Sequence, residues 1–253
     1  MNGEGSLNIV IPMAGRGSRF AAAGCTIPKY MVEAGGLSLF EHSLSSLPLK
    51  LAGKVVFVAL REHENDFGVS AFINEKFGRA ARRAGSRSGC EVVLLAAPTR
   101  GQAETVLCAR DCVPPGEEMA IFNIDTGFVS SSLAARLADP AAKKDGVLGA
   151  FVLDAPETKW SFAQTDAQGV VTKTAEKEPI SRYALTGMYH FTRAGDFYDA
   201  AAAAISGSET VRGEYYVAPL YNRLIAKGRR FVLDVAERII PLGTPEDVKN
   251  YGR

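Results

Sequence analysis

The sequence predicts an α/β fold, a parallel sheet with helices on both faces, and three observations carry that prediction. Apolar runs of strand length recur along the first half of the chain. Segments with helical spacing separate them, the alternation that right-handed crossovers require. The length, 253 residues, suffices for one α/β core that buries roughly three quarters of the unfolded surface. Residues 1–253 are therefore expected to form a single domain.

The elements follow in chain order. Residues 7–13, "LNIVIPM", are mostly apolar, the pattern of a strand buried on both faces. The pattern returns at 54–60 ("KVVFVAL"), 90–96 ("CEVVLLA") and 118–124 ("EMAIFNI"). Between these strands, 37–47 ("LSLFEHSLSSL"), 66–83 ("DFGVSAFINEKFGRAARR") and 101–111 ("GQAETVLCARD") have the spacing of helices. Strands then dominate, at 146–154, 159–177 and 184–191, with "DAQG" at 166–169 as a hairpin turn. Helices are expected at 194–205 and 214–228, and a strand at 229–235. The last helix, 244–251, starts from Thr244 as N-cap, with Pro245 in its first position and Asp247 where a capping-box acid stands.

Hydrophobic residues make up 47% of the chain and charged ones 23%, for a formal charge of +1. Such a balance excludes a disordered chain and a polyelectrolyte partner recognised by overall charge, so any affinity for anions must be local. The basic run at 78–87, "GRAARRAGSR", has no interleaved aromatics and reads as a solvated helix end, so no nucleic-acid partner is expected. Cys25, Cys90, Cys108 and Cys112 make no CxxC pair and no finger-like grouping with His42, His63 and His190. They are expected to be free thiols in a reducing cytoplasm, with Cys108 and Cys112 packing into the core from one helix face. The amino terminus has no basic stretch before its apolar run, which is about half a bilayer span, so neither export nor membrane insertion is expected.

Chemistry concentrates after the first strand, in "IPMAGRGSRFAAAGCTIPKY" at 11–30. Gly15 and Gly17 can take unusual backbone angles and let a ligand come close. A nest of N–H groups at the carboxyl end of a strand favours phosphate oxygens, and open α/β sheets bind ligands at that edge. Two glycines alone also suit a tight strand-to-helix turn. The dinucleotide fingerprint is incomplete, because Phe20 stands at the third glycine position, and no Lys followed by Ser or Thr closes a Walker A loop. Arg19 and, beyond Pro28, Lys29 supply two cations that can bracket a polyphosphate, each worth about 4 kcal/mol at 4 Å in a partly screened site.

"MAGRGSRF" at 13–20 followed by "PKYMVEAGG" at 28–36 resembles the signature of nucleotidyltransferases acting on sugar 1-phosphates. The resemblance is dense over 13–31 and extends thinly along nearly the whole chain. It implies a Rossmann-like three-layer α/β sandwich with a mixed, mostly parallel sheet. It also implies that Met13, Ala14, Gly15, Gly17 and Ser18 hold the nucleotide, with Arg19 and Lys29 on the reacting phosphates. "FNIDT" at 122–126 is similar to the family's strand that ends in a magnesium-binding acid, implying Asp125 as metal ligand and Asn123 on the nucleotide. By itself such an Asp equally suits a cap or turn.

"RGQAETVL" at 100–107 resembles the family's glycine-led helix start beside the base, which implies Gly101 there; an ordinary N-cap is the other reading. "VVTKTAEKEP" at 170–179 resembles a strand ending in Glu-Lys-Pro, although Glu178 intervenes. It implies Glu176 on sugar hydroxyls and Lys177 on the sugar phosphate, against the plainer reading of a solvated charge run. "ALTGMYHF" at 184–191 implies that the sugar approaches the sheet at Gly187.

Two departures from the pattern matter. Pro98 and Thr99 stand near where thymidylyl- and uridylyl-transferring relatives carry a base-reading glutamine, which leaves the base open. Pro241 and Leu242 stand where the family often has a second metal-binding Asp, which leaves Asp125 alone or with Asp234 or Glu214 as substitutes. No hexapeptide repeat follows, so no β-helix C-terminal domain is expected.

The expected protein is a magnesium-dependent, cytoplasmic nucleotidyltransferase that joins a nucleoside triphosphate to a sugar 1-phosphate, in nucleotide-sugar supply for polysaccharides. An acceptor phosphate is already ionised at neutral pH, so in-line attack needs positioning and charge stabilisation rather than a general base. No Ser-His-Asp or Cys-His grouping stands out. A cytidylyltransferase for a polyol, choline or phosphonate acceptor stays open, as do a nucleotide-binding protein without turnover and a homo-oligomer. A glycosyltransferase of similar fold is disfavoured, because Asp125 has Asn123 and Gly127 where an Asp-x-Asp would need an acid.

Overall fold

The structure is a computed structural model and describes residues 7–252. The start of the chain, expected to carry no export signal, lies partly outside them. β1 (Leu7–Pro12) is followed across the glycine loop by α1 (Ser18–Ala22). The ribbon β2 (Glu33–Ala34) and β3 (Leu37–Ser38) leads into α2 (Leu39–Ser45), whose start is fixed by a capping box between Ser38 and Glu41. Next come β4 (Ala52–Leu60), α3 (Arg61–Phe67), α4 (Val69–Ala84), β5 (Gly89–Leu95), α5 (Gln102–Leu107) and β6 (Met119–Ile121). β7 (Thr126–Val129), α6 (Leu133–Ala138) and α7 (Pro140–Lys143) precede β8 (Gly146–Val152). The hairpin β9 (Ser161–Thr165) and β10 (Val171–Glu176) leads to β11 (Tyr183–Phe191), α8 (Ala194–Ser206) and α9 (Leu220–Ala226). β12 (Phe231–Val235), β13 (Arg238–Pro241) and α10 (Pro245–Lys249) follow.

The main sheet is mixed and nine-stranded, in the order β10-β9-β11-β6-β1-β4-β5, with β8 paired to β11 and β12 to β8. β6, β1, β4 and β5 run parallel, so their carboxyl ends share one edge. Side chains alternate along β1: Val10 enters one apolar core, Ile9 and Ile11 the other. The first core takes Val106, Phe197 and Leu224 from α5, α8 and α9; the second takes Phe40, Ile73 and Phe77 from α2 and α4. Helices therefore cover both faces, and the three-layer sandwich that the resemblance implies is present. A separate two-stranded pair, β7 with β13, sits beyond β6.

Local context overrides the sequence pattern in several places. β4 stops at Leu60 and "REHENDF" forms α3, which Gly68, left-handed at φ 61°, separates from α4. β5, expected to be buried on both faces, is the outer strand and only half-buried. α5 ends at Leu107 and residues 110–112 form a 3-10 turn, so Cys108 is exposed, whereas the half-buried Cys112 packs against the first core as expected and donates its thiol to Glu91 at 3.3 Å. The helix expected from residue 214 begins only at Leu220, because the backbone of Tyr215 is bonded to Arg100 and Ala103. The hairpin turn is as expected, with Asp166 accepting from the amides of Gln168 and Val170 at 2.9 Å. So are the caps of α10, where Thr244 and Asp247 bond reciprocally. Among the described residues no helix is long and apolar enough to cross a membrane.

Candidate active site

The site grows from the carboxyl edge of the parallel strands. Met13 still belongs to the ladder, its amide donating to Val58 at 2.8 Å, and after it the backbone leaves the sheet. Among the described residues, the amides of residues 14–19 donate to no acceptor within the protein. Buried amides nearly always find an acceptor, yet Ala14 is 3% exposed. Four residues with such unbonded amides, Ala14, Gly15, Arg16 and Arg19, line a cavity of about 530 Å³ together with Met13 and Lys29 on this side. Gly17 and Ser18, expected on the nucleotide, are not in its wall. Gly17 instead gives passage to the stem of Lys29: its φ is 63°, and a Cβ there would lie 3.3 Å from Lys29 Cβ.

Lys29 starts a 3-10 turn that follows Pro28, and its Nζ donates to Asp125 Oδ2 at 2.7 Å. Asp125 lies between β6 and β7, with its carboxylate 17% exposed. Burial pushes the Asp125 carboxyl up, but the charge and hydrogen bond of Lys29, with the charge of Arg19 behind them, outweigh it and hold the group below its ordinary range. The carboxylate is therefore an anion at neutral pH. Pro241 pairs with Thr126 across β13 and β7, and the Leu242 amide donates to the Asp125 carbonyl at 3.1 Å. The segment where the family often has a second acid thus lies beside Asp125 and carries none. Asp234 does not replace it: it is 1% exposed beneath α6, accepts from Ser130 and Ser132 at 2.6 and 2.7 Å, and stays outside the cavity. Glu214 and Asp247 do line the cavity.

At the other side β10 ends in Glu176 and Lys177. Lys177 is left-handed at φ 58°, an uncommon state for a residue with a side chain. Its amide donates to Trp160 at 2.9 Å and its Nζ to the Tyr216 hydroxyl. Glu176 has a side chain 4% exposed and accepts from the Ser161 hydroxyl. Burial pushes the Glu176 carboxyl up, against the Ser161 bond and the charge of Lys177, and Glu214 adds to the rise. Trp160 also lines the cavity, with its ring edge-on to Phe151 at 5.0 Å and its indole N–H buried without a partner.

Two glycines expected to admit substrate are held by the protein itself. Gly187 sits where the register of β11 against β8 slips between Leu185 and Tyr189, at φ 89°, and a Cβ there would collide with the Asn123 side-chain amide. Asn123 in turn accepts from Gln102 Nε2. Gly101 has φ 137°, and a Cβ there would lie 2.5 Å from the Tyr215 nitrogen. Both glycines line the cavity, and at each the packing within the protein already requires the absence of a side chain. The cavity brings together Arg19, Lys29, Asp125, Asn123, Glu176 and Lys177. Sequence reading missed Arg16, Gln102, Trp160, Ser161 and Tyr216 in the wall; Arg16, between Gly15 and Gly17, and Gln102, next to Gly101, had a local signal, and the other three had none.

Fold and cavity together define a class, the nucleotidyltransferases of the NTP-transferase type. The MobA-like NTP transferase domain matches residues 9–178, and the chain belongs to that family. A nucleoside-diphosphate-sugar pyrophosphorylase from Vibrio cholerae RC9 is 36% identical, with 96% of this chain and 98% of that one covered and a TM-score of 0.78. The inositol-1-phosphate CTP transferase from T. maritima shares the fold at 15% identity, with coverage of 98% and 93% and a TM-score of 0.68. The 2-C-methyl-D-erythritol 4-phosphate cytidylyltransferase of Xanthomonas axonopodis pv. citri (strain 306) is 31% identical over 121 residues, 46% of this chain. The match spans 43% of the length of that curated relative.

Proposed function

We propose that the protein joins a nucleoside triphosphate to a sugar 1-phosphate, giving a nucleoside-diphosphate sugar and pyrophosphate. The observation that carries this reading is that Ala14, Gly15, Arg16 and Arg19, whose amides have no acceptor among the described residues, line one cavity with the Lys29–Asp125 pair. These amides with Arg19 and Lys29 take the triphosphate oxygens; Glu176 and Lys177 take the hydroxyls and phosphate of the acceptor. An acceptor phosphate oxygen attacks the α-phosphorus, the bond from that phosphorus to the bridging oxygen breaks, and its electrons leave with pyrophosphate. Arg19 and Lys29 offset the charge that builds on the phosphorus oxygens. No side chain need accept a proton from an acceptor that is already ionised.

The residues present fit a magnesium ion, with Asp125 as its protein ligand. Among the described residues there is no group of three or more His, Cys, Asp or Glu that could hold a metal. One ionised carboxylate is chemically adequate, since magnesium keeps several waters and takes the rest of its ligands from phosphates. When bound, the ion supplies charge neutralisation at the phosphates.

A second reading, cytidylyl transfer to another phosphorylated acceptor, is favoured by the 31% identity to a cytidylyltransferase. A panel of triphosphates with magnesium, each mixed with sugar 1-phosphates and with polyol and choline phosphates, separates the two by pyrophosphate release. Release only with sugar 1-phosphates is expected. Release only from cytidine triphosphate with a non-sugar acceptor supports the second reading, and triphosphate binding without release under any combination overturns both.

A further inference from the structure

The turn before α5 and the segment before α9 meet in an unusually close backbone contact. The Tyr215 amide donates to the Arg100 carbonyl at 2.8 Å and the Ala103 amide to the Tyr215 carbonyl at 3.0 Å, one rung on each side of Gly101. A Cβ on Gly101 would lie 2.5 Å from the Tyr215 nitrogen and 2.6 Å from its oxygen, and both are backbone atoms that cannot swing aside. The Arg100 guanidinium lies 5.0 Å from the centre of the Tyr215 ring and is itself forked onto Glu104, with Nη2 2.8 Å from Oε1. The next residue, Tyr216, receives the ammonium of Lys177 on its hydroxyl. Burial and a hydrogen bond to Glu214 push that hydroxyl far up, so it stays neutral.

We propose that Gly101 and Tyr215 form a clasp that positions Tyr216, and through it Lys177, on the acceptor side of the cavity. The inference rests on the reading of Glu176 and Lys177 as the acceptor site. It gives Gly101 a role opposite to that of a glycine that merely makes room for the base. A side chain at Gly101 pushes residue 215 outward, Tyr216 follows, and the Lys177 ammonium loses the hydroxyl that holds it. Lys177 then has a strained backbone and a free side chain, and the acceptor phosphate meets a cation that is no longer preorganised.

The test compares wild type, Gly101→Ala and Tyr216→Phe by pyrophosphate release and by calorimetric titration with the triphosphate alone. The clasp predicts that Gly101→Ala raises KM for the acceptor by about 10- to 100-fold, the scale of an ångström misplacement, while affinity for the triphosphate changes less than threefold. Tyr216→Phe, which leaves the backbone untouched, should show the same split in smaller measure. Loss of triphosphate affinity in Gly101→Ala with an unchanged acceptor KM overturns the clasp and restores the base-facing role. Should Gly101→Ala fail to fold, an unchanged acceptor KM in Tyr216→Phe overturns it alone. If wild type itself releases no pyrophosphate with any phosphorylated acceptor, the functional reading falls and the clasp with it.

Discussion

Asp125 and Glu176 are two carboxyl groups of one cavity driven in opposite directions, and stability should record both. The Asp125 pKa is lowered in the folded state, so its contribution is present above the unfolded value of about 3.9 and is lost as pH falls through the folded one. Lys29→Met removes the cause. It should cost on the order of 2 kcal/mol at neutral pH, less than the 3–5 kcal/mol of a fully buried pair because both side chains retain some solvent. Urea unfolding across pH checks this: the gap to wild type should narrow as pH falls, starting where the variant's carboxyl, now raised by burial, takes up its proton and ending where the lowered carboxyl of wild type does. Glu176 is raised, so the folded protein holds its proton longer and loses stability as pH rises through the folded value. Glu176→Gln should therefore raise the melting temperature at neutral pH while abolishing most turnover, a stability gain at the expense of function. A lower melting temperature would contradict the buried, disfavoured charge.

At the scale of elements, the slip in β11 deserves a direct test, since it is what brings Gly187 against Asn123. Gly187→Ala should destabilise by about 1–3 kcal/mol through overpacking. Adding Asn123→Ala should return part of that loss, because the colliding amide is gone; unfolding midpoints of the two single variants and the double variant measure the coupling. The slip also shows what the sequence could tell. "ALTGMYHF" announces a strand by its apolar run, and the strand is there, but nothing in the run says that its register against β8 shifts between Leu185 and Tyr189. The same limit explains residues 214–219: their spacing suits a helix, and only the contact with Arg100 and Ala103, distant in sequence, decides otherwise. The strands of the parallel half and the capped start of α10 were legible because their signals are local. α3 was missed because strand and helix share the polar-apolar boundary at Leu60 and Arg61.

For the molecule as a whole, a triphosphate that binds only the folded form must stabilise it. At a concentration 100 times its Kd with magnesium, the gain should be about 2.7 kcal/mol, read as a rise in melting temperature that chelation of the metal reduces. An unchanged melting temperature would leave the amides of residues 14–19 without a ligand. The loop, the two cations and Asp125 were readable before any fold was known, because they form an ordered motif in a short span followed by one strand-end acid. Tyr216, Ser161 and Trp160 were not, since they reach the cavity from separate elements that only the folded sheet brings together. The chain contains one tryptophan, and it stands in the cavity beside Lys177. Every photon of indole emission therefore originates beside Lys177, so the unlabelled protein carries its own reporter: if that side takes the acceptor as proposed, a spectral change on adding acceptor, and a smaller one on adding nucleotide, would map the two halves of the cavity by light alone.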